Sequence, residues 1–283
     1  MVVDTQRAQL VVSRVHRAFG EGRGLLSDTE DLVEHQIPEG VEGLSRDHAL
    51  FLFYTVPNDH GMKSARLYAA AKRLFRECPR LFEPQSVIGT FVGPDDPDLI
   101  ESTGQRLGTR YPRETARSWY ANSIALLERY GGDPRTLWRS SDDARTLMRN
   151  ILSFRGYGPK TGGMLLRAVV GLGFSNVKGI EEVLLPVDIH DSRISFLTGI
   201  VRLNDPRAVP DYRAYVTQVP KILLAACNAL GLEWPDTDRA LWLIGSRGCV
   251  GQRCARCPLA DLCSVGARDV VGYQVGGLFP SSL

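Results

Sequence analysis

Three short stretches hold residue types and spacings that could do chemistry. In "FRGYGPKTGG", Lys160 follows a G-x-G turn made by Gly156 and Gly158. In "PVDIH", Asp188 stands where a new amphipathic segment begins. In "GCVGQRCARCPLADLC", Cys249, Cys254, Cys257 and Cys263 are spaced C-x4-C-x2-C-x5-C. A poised amine can attack an electrophilic carbon, a fixed carboxylate can steady a developing cation, and thiolates can wrap a metal centre.

The glycine turn sets two readings of Lys160 side by side. Glycines admit positive φ and let backbone N–H groups face outward at the start of the following helix. That is an anion site suited to one phosphate. Pro159 suits an early helical position, so "LMRNILSFRGYGPKTGGMLLRAVVG" reads as helix, hairpin, helix. Lys160 is then either a charge gripping a phosphate or a nucleophile. The chain has only five lysines, Lys63, Lys72, Lys160, Lys178 and Lys221, among many arginines. Arginine cannot give up its proton near neutral pH and lysine can, so a lysine at this turn hints at chemistry.

Asp188 also has two roles open to it. Aspartate is a preferred N-cap, worth about 1 kcal/mol. A carboxylate held at a helix start is also a fixed anion that suits a reaction building positive charge on a sugar. His190 lies close by and reads as a packing or hydrogen-bonding residue.

One loop supplying all four thiolates suits a [4Fe-4S] cluster better than zinc, which is more often held by two separated knuckles; zinc stays the alternative. Arg247, Arg253 and Arg256 crowd this loop against one acid, Asp261, which makes it a basic protrusion with a phosphate backbone as its natural partner. Cys78 and Cys227 read as buried small apolar residues.

The elements that must position these groups read as helices. Apolar residues recur at three-four spacing in "RDHALFLFYTV", "KSARLYAAAKRLFREC", "RETARSWYANSIALLERYGG" and "DDARTLMRNILSF", broken by Pro, Gly and Asp. Gly131 and Gly132 close one helix, and Ser141 and Asp142 are candidate caps for the next. No run of alternating strands and no repeat stands out, so the fold class is all-α. Length (283 residues) allows one large or two smaller domains, and a net charge of +2 leaves nucleic-acid binding to local clustering. No segment is long and apolar enough for a membrane helix, and Asp4 and Arg7 interrupt the start where a secretion signal needs apolar residues. The expectation is a cytoplasmic protein, nucleoid-associated in a bacterium or archaeon, with no membrane partner.

Taken in order, the hairpin turn, "PVDIH" and the four-cysteine loop preceded by "RALWLIGSRG" resemble the helix-hairpin-helix DNA glycosylase superfamily, in its iron–sulfur, endonuclease III-like branch. The similarity spans roughly residues 30 to 265, and the ordered combination is far more specific than any part. It implies two helical domains flanking a DNA-binding cleft: a six-helix barrel with the hairpin at 46–173, and an iron–sulfur domain from 1–45 plus 174–268, followed by a tail at 269–283. It implies that Lys160 is the nucleophile of a bifunctional glycosylase and AP lyase, and that Asp188 is its essential acid. Gly156, Gly158, Thr161, Arg155, Arg253 and Arg256 become candidate DNA contacts; Tyr54, Asn58, Asp59 and His190 become candidate pocket residues. The partner is double-stranded DNA carrying a damaged or mismatched base, bound by a monomer. Two other readings stand beside this one: a monofunctional glycosylase using water activated by Asp188, and a non-catalytic iron–sulfur DNA-binding redox sensor.

The chain departs from the family pattern in three places. The first cysteine gap is four residues where six is usual. "LFYTVPNDHG" stands where the family has an L-S-x-Q-x-T-D stretch, with Val56 at the glutamine position. Phe154 and Arg155 replace the usual Leu-Pro lead into the hairpin.

Overall fold

The computed structural model describes residues 1–205 and 207–266; the tail expected at 269–283 lies outside them. Among the described residues there are twelve α-helices and one two-stranded antiparallel ladder, so the protein is all-α. In chain order the helices are α1 (Thr5–Gly20), α2 (Arg46–Thr55), α3 (Ser64–Glu77), α4 (Pro84–Thr90), α5 (Pro97–Ile100) and α6 (Pro112–Tyr130). Then follow α7 (Pro134–Trp138), α8 (Ala144–Leu152), α9 (Pro159–Gly171), α10 (Ile189–Leu197), α11 (Val219–Ala229) and α12 (Trp234–Leu243). Strand β1 (Val2–Val3) pairs with β2 (Val201–Arg202), Val2 opposite Arg202. No described helix is long and apolar enough to cross a membrane.

The chain divides into two compact units, one of Glu30–Pro186 and one of Met1–Thr29 with the chain from Val187 onward. The family resemblance implied divisions at 45/46 and 173/174. Specific contacts draw the flanking segments into the first unit. Glu34 pairs with Arg167 of α9, and Lys178 donates its backbone N–H to the Asp142 carbonyl at 2.7 Å. Pro186 lies so close to Gly163 that a Cβ there would come within 2.8 Å of the Pro186 Cβ.

Aromatic packing builds the core of the 30–186 unit. Tyr54 stacks on Trp119 with centroids 4.6 Å apart, and Phe51, Phe75 and Phe82 close around them. Trp138 meets Phe174 edge-on at 4.8 Å. Each such ring contributes roughly 2–3 kcal/mol by leaving water. In the other unit, α1 presents Val11, Val12 and Val15, all fully buried, and packs on α11 and α12, where Leu223, Cys227, Trp234 and Leu241 are buried.

Local stop and start signals behave as their chemistry requires, with one shift. Gly131 ends α6 in the left-handed region at φ 63°. The cap of α8 is Asp143, one residue beyond the Ser141–Asp142 pair picked from sequence. Its Oδ2 accepts the Thr146 N–H at 2.7 Å, while Ser141 Oγ accepts the Asp143 N–H at 3.0 Å and closes the preceding turn. Cys227 is buried, and burial pushes its thiol up to about 11; Cys78 is only half-buried and lies 3.3 Å from an Arg106 nitrogen.

Candidate active site

The hairpin is built by alternation. Phe154 and Tyr157 turn inward and Arg155 and Gly156 outward. Phe154 packs edge-on against Phe53 of α2 at 5.0 Å, and the Tyr157 hydroxyl donates to the Phe53 carbonyl at 2.7 Å. The turn is thereby riveted to α2 from below while its glycines face out. Gly156 sits at φ 87°, which favours glycine, and a Cβ there would lie 3.2 Å from Ser118 Oγ, so Ser118 would have to shift. Gly158 differs: its φ is −116° and nothing lies within 4 Å of a Cβ placed on it. The fold does not require glycine there. Its bareness leaves the N-terminus of α9 open to approach from outside.

Lys160 occupies the first turn of α9, half-buried, and its Nζ donates to the Asp59 carbonyl at 3.1 Å. Thr161 does not reach outward as expected. It is buried, and its hydroxyl accepts the Gly158 N–H at 3.1 Å and donates to the Gly156 carbonyl at 3.4 Å, so it closes the turn. Arg155 is exposed and pairs with Glu114 at 2.7 Å. Glu114 also pairs with Arg117, and the two guanidiniums, Arg155 first, hold its carboxyl below the ordinary range. An exposed pair of this kind is worth little and is readily exchanged for another anion.

The four pocket candidates part company. Tyr54 is fully buried and bonded to Ser123 Oγ at 2.7 Å; burial raises its hydroxyl, and it serves the core. Asn58 is buried too, donating to the Tyr54 carbonyl and accepting from Thr115 Oγ1 at 3.0 Å. Yet Asn58 also lines a cavity of about 330 Å³ with Pro57, His60, Arg110, Tyr111, Ser118, Arg155 and Gly156. Here His60 stacks on the half-exposed Tyr111 at 6.5 Å, with the Arg110 guanidinium 5.4 Å from the same ring. Sequence reading missed Arg110 and Tyr111; the adjacent Arg-Tyr-Pro before a helix was the available signal. Asp59 has one oxygen accepting from Ser64 Oγ at 2.7 Å and the other buried without a partner among the described residues. Val56, at the family's glutamine position, is fully buried.

Asp188 is the N-cap of α10, and only 8% of it is exposed. Its Oδ1 accepts the His190 N–H at 2.7 Å, and its own N–H donates to Asp191 Oδ2 at 2.9 Å, which completes a reciprocal box. His190 lies 2.9 Å, at Nδ1, from an Arg193 nitrogen. Arg193 also donates to the Gly245 carbonyl, and a Cβ on Gly245 would collide with that of His190. His190 thus has a packing and bonding place in its own unit.

In the cysteine loop, burial raises the Cys257 thiol to about 12, and Cys249, Cys263 and Cys254 add to the rise; burial likewise raises Cys249. Each of the four thiols thus lies within electrostatic reach of another. The Leu259 N–H points at Cys257 Sγ at 3.5 Å, a contact that supports a thiolate. Among the described residues no three Cys, His, Asp or Glu side chains converge closely enough for one metal ion. The loop arginines are only partly outward. Arg256 donates to the Gly24 carbonyl at 2.9 Å and Arg247 binds Asp28, so both tie the loop to the 24–28 segment. Arg253 is exposed.

No protein-family model and no curated protein matches the chain. Solved structures do. A trapped endonuclease III–DNA covalent intermediate, in an estranged-adenine complex, superposes with a TM-score of 0.60 at 19% identity, over 95% of this chain and 100% of that one. The chain shares the endonuclease III fold. A non-covalent endonuclease III–DNA complex gives the same values, and a thermostable thymine-DNA glycosylase gives 0.57 at 13% identity over 93% and 98% of the two chains. The endonuclease III fold therefore covers 95% of the chain, beyond the 30–265 span that the resemblance implied.

Proposed function

We propose that the protein is a base-excision DNA glycosylase that extrudes a damaged or mismatched base from duplex DNA and cleaves its N-glycosidic bond. The observation that carries this is Lys160 in the first turn of α9, directly behind the open Gly156–Gly158 turn, in a chain with the endonuclease III fold. One of the structures similar to it is a covalent intermediate with DNA, which supports a nucleophilic role for an amine here.

In this reading the bare N-terminus of α9 takes one backbone phosphate, and Arg155 exchanges Glu114 for another. The nucleotide leaves the stack at a cost of a few kcal/mol, least for a weakened pair. The Lys160 amine attacks C1′ as the bond to the base breaks, and the base departs with the electron pair and takes a proton. The covalent sugar–lysine adduct rearranges to a Schiff base, from which elimination cuts the strand. The Asp188 carboxylate, fixed by the helix start, steadies the positive sugar. Cys249, Cys254, Cys257 and Cys263 would hold a [4Fe-4S] cluster, whose thiolates each bind a separate iron and so need not converge on one point. It would brace the loop that presents Arg253.

The hydrogen bond from Lys160 to the Asp59 carbonyl favours a second reading, in which the ammonium only lends charge and water attacks. A panel of duplexes bearing oxidised, deaminated or alkylated bases separates the two. Base release with strand scission supports the first reading, and an abasic product without scission supports the second. Asp188→Asn keeps the cap but removes the charge, and should lower excision about 100-fold or more. Near-normal turnover would reduce Asp188 to a cap.

A further inference from the structure

Asp188 has a companion that the proposed chemistry leaves unused. Asp191 lies one turn into α10, 2% exposed. Its Oδ2 accepts the Asp188 backbone N–H, while its Oδ1 is buried and meets no hydrogen-bond donor among the described residues. Asp238, 3% exposed, stands on α12, which packs against α10. Three carboxyls thus share a space nearly closed to water, where ionisation is costliest for the one that no donor or cation meets.

Among the described residues Asp191 itself forms no ion pair, and its Oδ1 has no hydrogen-bond partner. On the helix itself, Arg193 is engaged with His190 and the Gly245 carbonyl. From α12, Arg239 pairs with Asp236, and from the 244–249 segment Arg247 binds Asp28. Tyr212 and Arg213 of the 212–215 turn, Tyr215 beside them, Cys227 and Lys221 of α11, Cys249 and Arg202 of β2 lie on the other elements that pack against α10. Burial, and then Asp188 and Asp238, push the Asp191 carboxyl well above the usual carboxylate range.

We propose that Asp191 is a positioning residue for Asp188: it stays a carboxylic acid in the folded protein and shares its proton with the Asp188 carboxylate, so that the pair carries one negative charge, aimed by the helix start. The effect on excision rests on the role of Asp188 proposed above; the shared proton does not. A D-x-x-D box is ordinary capping, but a cap made only of acceptors has no need of a proton. Here the second carboxyl both accepts from the backbone and donates to its neighbour, as two carboxyls in one site can. When alkali strips that proton, two buried carboxylates repel each other and the aim of Asp188 is lost.

The test is carboxyl-carbon NMR of the full-length protein labelled at aspartate, from pH 5 to 9. One aspartate signal should stay at its protonated position at pH 7 and vanish in Asp191→Asn; Asp191→Ser makes the assignment if that variant does not fold. If every aspartate carboxyl is ionised at pH 7, the proposal is overturned. For wild type, excision should fall about tenfold per pH unit once the pair loses its last proton, in kcat rather than KM. Asp191→Asn, which cannot lose that proton, should lack this alkaline limb. A limb identical to wild type would also overturn the proposal, since a plain cap predicts that result. If wild type excises no base at all, the glycosylase reading falls, and the carboxyl spectrum still decides the shared proton.

Discussion

Glu34→Gln should destabilise the 30–186 unit more than any surface change can. Glu34 and Arg167 meet through two charge-assisted contacts, Nε to Oε1 at 2.9 Å and Nη2 to Oε2 at 3.1 Å. Their side chains are 8% and 4% exposed, so water screens neither. At an effective dielectric of about 20, opposite charges about 4 Å apart attract by about 4 kcal/mol. Removing one charge forfeits that attraction in a place water does not screen, a loss of about 3–5 kcal/mol. For a unit of this size each kcal/mol shifts the midpoint by roughly 2–4 °C, so Glu34→Gln should lower Tm by about 10 °C. The assay is thermal unfolding of Glu34→Gln, Arg167→Met and the double variant Glu34→Leu/Arg167→Met. The double variant should recover much of the loss, because the two charges leave together. A single-variant loss below about 1 kcal/mol, the value of an exposed pair, would refute the reasoning. So would a double variant as damaged as the two singles summed.

Further predictions concern acid stability, the hairpin and the cysteine loop. Burial lowers the His48 imidazole from 6.5 to about 4. Between those values the unfolded chain binds a proton that the folded imidazole refuses, so stability is full above about pH 6.5 and declines as pH falls toward 4. The loss reaches about 3 kcal/mol, and His48→Leu should flatten that limb in pH-dependent unfolding. Gly156→Ala forces a side chain into positive φ and against Ser118 and Pro57, and should weaken duplex binding in a gel-shift titration while Gly158→Ala leaves the fold's Tm within about 2 °C. Cys257→Ala should abolish bound iron, measured by metal analysis and by visible absorbance, and lower the Tm of the unit holding the loop; zinc in place of iron would overturn the cluster assignment.

The parts of this fold legible in sequence are those written within a few residues of one another. Helical periodicity, the left-handed Gly131, the hairpin glycines and the Asp188 cap are local rules, and the structure follows them. The errors lie where distant segments decide. Asp143 caps α8 because its neighbour Lys178 bonds the backbone beside it, which nothing at 141–143 announces. Thr161 looks like an outward hydroxyl until the turn folds back onto it. Arg247 and Arg256 read as free basic charge, yet segment 24–28 claims both. Asp191 lies near Asp188 in sequence, but its burial depends on α12, far along the chain. The cavity beside Gly156 joins residues 57–60, 109–118 and 155–156, so no single stretch of sequence could outline it.

The central claim is that Lys160 is the nucleophile, and borohydride trapping tests it most directly. Wild-type protein mixed with a duplex carrying an abasic site or an excisable base, then reduced, should give a covalent protein–DNA adduct whose modified residue is Lys160. Lys160→Gln should bind the same duplex and yield none. Base excision by wild type with no trappable adduct, or an equal adduct yield from Lys160→Gln, would contradict the account.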